Sequence, residues 1–214
     1  MSDSASPPPE TPVVFDTVVV NYFLAAGEVE LLTQLFGQPL RVPRAVFDPD
    51  EEDSEREEAM SELRRGLHLH RRRVADKATA PELRDKSIRA LPHFERLPGL
   101  FESVTIAVLD MDAAELRRYA EMRDPKLAAT FGTVLGLGAG EAAMLAICEN
   151  RKWVPATDDS DAITVAKRLL PGVRPLRIRA ILRRAIDAGL IDLGAGRRLH
   201  QTMRELGFWD TGQL

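Results

Sequence analysis

Short apolar runs alternate along this chain with longer stretches in which apolar residues recur every three or four positions. Four runs have the length and residue types of buried strands, at residues 13–15, 40–43, 104–109 and 153–156. Helical periodicity marks residues 29–36, 112–122, 141–150, 161–170, 177–188 and 199–206. Strands that alternate with helices predict an α/β fold, with a central, mainly parallel sheet covered on both faces.

Two segments carry a weaker pattern. Residues 17–23 are rich in β-branched side chains but are expected to turn into a helix, and residues 173–176 are a candidate for one more short strand. Residues from about 50 to 100 are predicted to form a helical insertion, with breaks near Pro81 and Pro92, that covers or extends the functional site.

The expected organisation is a single domain over residues 12–209, between a disordered tail at 1–11 and a short tail at 210–214. The first ten residues, rich in serine and proline, have neither the basic region nor the apolar region of a signal peptide. No apolar run approaches the roughly 20 residues that span a bilayer, so no membrane partner is expected.

Composition narrows the functional classes. The 214 residues carry a net charge of -4 and only 6% aromatic residues, so a nucleic-acid site would need a local basic patch beside an acidic centre. The single cysteine, Cys148, excludes a disulfide framework and lies in an apolar stretch, which favours a buried residue and a reducing compartment. We therefore expect a cytoplasmic protein.

Three acidic residues are placed where elements should deliver them to one edge of the sheet. Asp16 follows the first strand, Glu141 follows a glycine-rich turn and opens a helix, and Asp158 follows the last strong strand. Ligands of parallel sheets bind at the carboxyl ends of strands. Carboxylates that converge there without basic partners favour a hard cation such as Mg²⁺ or Mn²⁺ and metal-assisted phosphodiester chemistry.

Each of these acids also has a structural interpretation. Asp16 would cap the following helix, Glu141 would favour the positive end of its helix, and the turn at Asp158, Asp159 and Ser160 would supply an N-cap. Asp161 has the position of an ordinary first-turn helix acid. The glycines before Glu141 are expected to permit a tight turn that aims it.

Four short segments occur in a characteristic order along the chain. They are Phe15-Asp16-Thr17 with Asn21, Val42-Pro43-Arg44-Ala45-Val46-Phe47, Leu137-Gly138-Ala139-Gly140-Glu141 and Thr157-Asp158-Asp159-Ser160-Asp161. In this order and spacing they resemble the PIN-domain nucleases, and the resemblance covers about residues 12–48 and 135–209.

This resemblance implies a PIN-like three-layer α/β/α sandwich and metal-dependent cleavage of RNA. Many small bacterial members are toxins of toxin–antitoxin pairs, which implies an antitoxin partner and a homodimer. Carried over residue by residue, it implies Asp16, Glu141 and Asp158 as catalytic residues and ligands of Mg²⁺ or Mn²⁺. Further implied residues are the metal ligands Asp48 and Asp161 and the supporting residues Thr17, Asn21 and Asp159.

The family's second acid is normally a glutamate after the proline-containing turn. Pro49 stands at that position, so Asp48 or Asp50 would have to replace it.

A basic helix is a candidate for gripping the RNA backbone. Its arginines are Arg177, Arg179, Arg183 and Arg184, on a helix whose Ile178, Ile181, Leu182 and Ala185 are expected to face inward. A solvated helix face is the alternative.

The sequence as a whole predicts a metal-dependent endoribonuclease. The main alternative is a catalytically weakened PIN-like module that binds RNA or a protein partner. A small-molecule phosphatase fits less well, since no Asp-x-Asp pair follows the first strand.

Overall fold

The protein folds around a four-stranded, fully parallel sheet with the strand order β3-β2-β1-β4. The computed structural model describes residues 11–36, 39–48, 60–103, 105–210 and 212–214. The strands are β1 (Val13–Phe15), β2 (Leu40–Pro43), β3 (Ile106–Leu109) and β4 (Val154–Ala156). The predicted α/β class and all four predicted strands are confirmed, although Val104 lies outside the described residues.

Eleven helices surround this sheet in the described part of the chain. They are α1 (Thr17–Ala25), α2 (Val29–Phe36), α3 (Glu62–Ala75), α4 (Pro81–Phe94), α5 (Leu97–Glu102), α6 (Ala113–Arg123), α7 (Ala128–Phe131), α8 (Ala139–Arg151), α9 (Ser160–Leu169), α10 (Ile178–Asp187) and α11 (Leu193–Leu206). The ambiguous segment after β1 is helical, because buried Val19, Val20 and Phe23 recur at helical spacing. Sequence reasoning missed the short helix α7.

The two faces of the sheet carry separate apolar cores. Side chains alternate across a strand, so Val13 and Phe15 of β1 pack on one face with α1, α2, α10 and α11. Val14 points to the other face, where its neighbours come from α6, α8 and α9 and include fully buried Cys148. Helices therefore cover both faces, as the sequence predicted.

The predicted insertion forms an antiparallel pair of helices, α3 and α4, and not a separate unit. Leu63, Ala90 and Phe94 are buried in the same core as β1. Pro81 begins α4, and the break predicted near Pro92 occurs at residues 95–96, between α4 and α5, since α4 continues through Pro92 to Phe94. Pro92 lacks a backbone N–H and its ring crowds the preceding turn, and packing of buried Phe94 beyond it offsets that cost.

The strand order places a topological switch between β1 and β4. The chain moves from β1 to β2 and β3 on one side and returns to add β4 on the other side of β1. A crevice forms where such a reversal occurs, outside the carboxyl ends of the strands. Leu176 extends this side with a single parallel bridge to Ala156, in place of the short strand predicted at 173–176.

The two predicted tails can be followed only at the carboxyl end of the chain. Residues 1–10 lie outside the described residues. At the other end, Asp210 is buried and Leu214 packs partly against the core, so the predicted tail at 210–214 is anchored.

The helices are short in relation to the thickness of a membrane. In the described ranges no single helix is both long and apolar enough to cross one, although α1 and α2, bent by 119° at their junction, meet that criterion as a pair.

Candidate functional site

Asp16 lies at the carboxyl end of β1, at the switch point, and is only 1% exposed. It is the N-cap of α1, where its Oδ1 accepts a hydrogen bond of 3.0 Å from the Val19 N–H. The Thr157 hydroxyl, at the end of β4, donates to its Oδ2. Burial raises the pKa of Asp16 well above its ordinary value, although both hydrogen bonds oppose this, and the charges of Glu141 and Glu62 raise it further. The capping role is confirmed, and it leaves Asp16 facing two other acids.

Glu62, at the start of α3, is the acid that sequence reasoning missed. Its Oε2 accepts a hydrogen bond from the Thr17 hydroxyl, and its Oε1 accepts one of 3.0 Å from the Gly140 N–H. The insertion therefore extends the site, as expected, by bridging the first turns of α1 and α8. No local sequence signal marks this role, because a glutamate in a first helical turn is ordinary. We call Asp16, Glu62 and Glu141 the acid cluster.

Glu141 completes the acid cluster from the first turn of α8. Its Oε2 is buried and has no hydrogen-bond partner within the described structure. Burial, then the neighbouring charge of Glu62 and more weakly that of Asp159, raise its pKa to about 7, against the lowering effect of its own backbone N–H. An unpartnered buried carboxylate oxygen is costly unless it is protonated or meets a cation.

The glycine turn before Glu141 is required for space and not for backbone conformation. Gly138 has an ordinary φ of -59°, so the expected special turn geometry is wrong. A Cβ on Gly138 would instead lie 2.1 Å from Oε2 of Glu141, and one on Gly140 would lie 2.4 Å from Oε2 of Glu62. The two glycines thus leave room for the two glutamate carboxylates.

Asp158 is buried beside this cluster but has different partners. Its Oδ1 accepts a hydrogen bond of 2.7 Å from Arg177 Nε, and its Oδ2 accepts one of 2.6 Å from the Ile178 N–H. Burial raises its pKa, and these two bonds oppose the rise. Convergence of Asp158 with Asp16 and Glu141 on one point is therefore not what the structure shows, because Asp158 is directed to the first turn of α10. Its catalytic role stays a prediction.

Of the remaining predicted acids, Asp159 and Asp48 have structural partners and Asp161 is exposed. Asp159 is the N-cap of α9 and accepts from the Asp161 and Ala162 N–H groups, while Asp161 is exposed in the first turn of that helix. Asp48 pairs with Arg44 at 2.6 Å. Pro49 and Asp50 lie outside the described residues. In the described structure, Glu62 is the acid that the chain between β2 and β3 delivers to the acid cluster.

A cavity of about 680 Å³ opens beside the acid cluster. The supporting residues expected from the sequence, Thr17, Asn21 and Asp159, all line it. Within the described part of the chain, the residues that line it are Thr17, Val18, Asn21, Tyr22, Asp158, Asp159, Ser160 and Trp209.

The four arginines of the basic segment divide into two pairs. Arg177 and Arg179 contact acids, at 2.7 Å from Asp158 and 3.7 Å from Asp210. Arg183 and Arg184 are exposed on α10, opposite its buried side. The inward-facing residues predicted for this helix, Ile178, Ile181, Leu182 and Ala185, are confirmed as buried.

The carboxylates of the acid cluster are chemically suited to bind a hard divalent cation. Hydrogen bonds hold them in their present arrangement. Glu141 has a buried oxygen without a partner in the described structure, and Glu62 lies close enough to Glu141 and Asp16 for its charge to raise both of their pKa values, which favours an oxygen-ligated cation such as Mg²⁺ or Mn²⁺. Among the residues that the structure describes, however, no three His, Cys, Asp or Glu side chains are arranged to hold one ion together. Cation binding would therefore require Glu62 to turn away from the Thr17 hydroxyl.

Comparison with known proteins adds no relative: no family model, no curated protein and no solved structure matches this chain. The likeness to PIN-domain nucleases accordingly rests on the short segments quoted above.

Proposed function

We propose that this protein is a metal-dependent endoribonuclease that hydrolyses phosphodiester bonds of RNA at the acid cluster. The observation that carries the proposal is the buried, unpartnered Oε2 of Glu141, which lies beside the charges of Glu62 and Asp159 at the switch point of a parallel sheet. A buried carboxylate oxygen without a partner costs stability when no cation is bound. When a cation is bound, the same oxygen can act as one of its ligands in catalysis.

Asp16, Glu62 and Glu141 are the residues that would hold Mg²⁺ or Mn²⁺. A bound cation of this kind supplies charge neutralisation at phosphorus and an activated water.

The chain itself positions and protects these carboxylates. Thr157 and the Val19 N–H fix both oxygens of Asp16, so that acid has one orientation. The Gly140 N–H retains Oε1 of Glu62 at 3.0 Å, which leaves Oε2 as the oxygen able to turn from Thr17 to a ligand. Glu141, with a pKa near 7, exchanges its proton at neutral pH and so accepts a cation as that proton leaves.

The arginines predicted to grip the RNA backbone are less well placed for it, because exposed Arg184 lines a cavity with Val13 and Val154, the first residues of β1 and β4, at the edge of the sheet opposite the acid cluster.

The alternative is a PIN-like binding module with little or no catalysis. The ion pair between Asp158 and Arg177 favours it, because an acid expected among the metal ligands already has a cationic partner. The toxin assignment, the antitoxin and the homodimer all concern further chains and stay predictions.

The decisive test is cleavage of a mixed RNA pool by the purified protein with Mn²⁺, with Mg²⁺ and with chelator. We expect cleavage only with a metal, and a loss of at least about 100-fold in Glu141→Gln and in Glu62→Gln. Asp161→Asn, a change of an exposed acid near the same edge, is the matched control and should cut normally. Equal cleavage by all these proteins would overturn the site, and absence of cleavage by the correctly folded wild type would favour the binding module.

A further inference from the structure

The cavity beside the acid cluster has an aromatic wall. Tyr22, from α1, and Trp209, near the end of the chain, both line it. Trp209 is 59% exposed, which is unusual for the largest apolar side chain in a molecule with so few aromatic residues.

Trp209 is held in place although it is exposed. Phe208, buried to 3% exposure, lies with its ring centroid 6.2 Å from that of Trp209 and 5.1 Å from that of Tyr22. The guanidinium of Arg177 sits 5.2 Å from the centre of the Trp209 ring. The indole is thus supported by a buried ring and a cation, a contact that stabilises an exposed aromatic in a fixed orientation.

Arg177 links Trp209 to a polar residue of the cavity lining. The same side chain pairs with Asp158, which also lines the cavity, at 2.7 Å. The lining thus combines the two aromatic rings with polar groups that include Asp158 and Asn21. That combination suits a planar, partly polar ring.

We propose that Trp209 and Tyr22 form a stacking subsite for one nucleobase of a single-stranded nucleic acid. Only an unpaired base presents a free face to an aromatic side chain, so the substrate class is single-stranded rather than duplex. The proposal rests on the proposed function for the arrival of a nucleic acid at this edge of the sheet. Stacking involves the base and not the sugar, so both RNA and DNA are expected to bind at this subsite.

The test uses the intrinsic fluorescence of Trp209 in full-length protein. The only other tryptophan, Trp153, lies beneath Arg41 and Arg151 on a different surface, and Trp153→Phe removes its signal. This variant is titrated, in chelator so that nothing is cut, with a six-nucleotide uridine RNA and a six-nucleotide thymidine DNA. An RNA duplex and inorganic polyphosphate, a polyanion without bases, serve as the comparison probes.

We expect both single strands to quench Trp209 saturably, while polyphosphate and the duplex do not. Trp209→Ala should weaken binding of the single strands about tenfold, measured by anisotropy of a labelled strand, and Trp209→Phe should retain most of it because a ring remains. Absence of quenching, or equal binding by Trp209→Ala, would overturn the subsite.

The subsite and the nuclease can fail separately. If single strands quench Trp209 but the protein does not cut RNA with Mn²⁺, the proposed nuclease function is wrong and the stacking subsite is supported. Metal-dependent cleavage with unchanged KM in Trp209→Ala would remove the subsite and leave the nuclease.

Discussion

At the scale of single residues, the site consists of acids whose partners differ. Asp16 has both oxygens occupied by neutral donors, Glu62 bridges two helices, and Asp158 is paired with a cation. Glu141 alone in the acid cluster has a buried oxygen without a partner in the described structure. The chemistry therefore depends most on Glu141.

The raised pKa of Glu141 predicts a pH-dependent stability. Its pKa is about 7 in the folded protein and near 4.5 when exposed, so the folded state binds more protons between these values. The free energy of unfolding should therefore fall as the pH rises from about 4.5 to 7 and change little above that. Urea unfolding in chelator at several pH values measures this.

The matched variant for this prediction is Glu141→Gln, which cannot ionise. It should show a smaller slope over the same range, with the remainder arising from Asp16 and Asp158, whose pKa values are also raised. His70 and His200, whose pKa values are lowered by burial, contribute in the opposite direction. Identical slopes in the two proteins would show that Glu141 is not buried as an acid.

A second residue-scale prediction concerns Arg177. Arg177→Ala leaves Asp158 buried without its cation, so the free energy of unfolding should fall by about 1–3 kcal/mol. Arg183→Ala, an exposed change on the adjoining helix, should cost less than about 0.5 kcal/mol. Chemical denaturation compares the two, and equal small losses would mean that the ion pair contributes little.

At the scale of elements, the first turns of α1, α3 and α8 meet at the carboxyl edge of the sheet. Thr17, Glu62 and Gly140 connect them through two hydrogen bonds to one carboxylate. Each helix start presents the positive end of its dipole, which favours the acids that lie there.

Gly140→Ala should separate function from stability. An added Cβ would lie 2.4 Å from Oε2 of Glu62, at the end of a flexible side chain, so the carboxylate would move while the fold remains. We expect unfolding free energy to change by less than about 1 kcal/mol, since alanine favours a helix, while metal-dependent cleavage falls at least about tenfold.

Gly99→Ala is the control, because it also changes a helical glycine and its Cβ would meet nothing within 4 Å. It should retain cleavage. Normal activity in Gly140→Ala would show that the position of Glu62 is not critical.

At the scale of the whole molecule, the sequence predicted the sheet, its parallel strands and the edge at which Asp16 and Glu141 meet, because apolar periodicity and strand ends are local signals. It did not predict Glu62, which reaches the site only through packing of α3 against α1. It also did not predict the direction of Asp158, because the competing partner, Arg177, follows much later in the chain. Which partner a buried acid contacts depends on the tertiary structure, and no short sequence pattern encodes it.

The acid cluster also predicts stabilisation of the whole fold by a cation. Mn²⁺ at about 100 times its Kd should add about 2.7 kcal/mol, which corresponds to a rise in Tm of roughly 5–10 °C for a domain of this size. The rise should be larger at pH 8 than at pH 6, because the proton on Glu141 competes with the cation. Thermal unfolding with Mn²⁺ and with chelator measures it, and an equal rise in Glu141→Gln would place the cation elsewhere.

Two hydrogen bonds connect Glu62 to the starts of α1 and α8. They join residues separated by 45 and 78 positions in the chain. Local opening of the α3–α4 pair would therefore remove one carboxylate while Asp16 stays capped on α1 and Glu141 stays on α8. In hydrogen-exchange terms, the site belongs to the same cooperative unit as that helical pair. Because α3 and α4 share a core with β1, a mild denaturant should abolish cation binding and the protection of the β1 amides together.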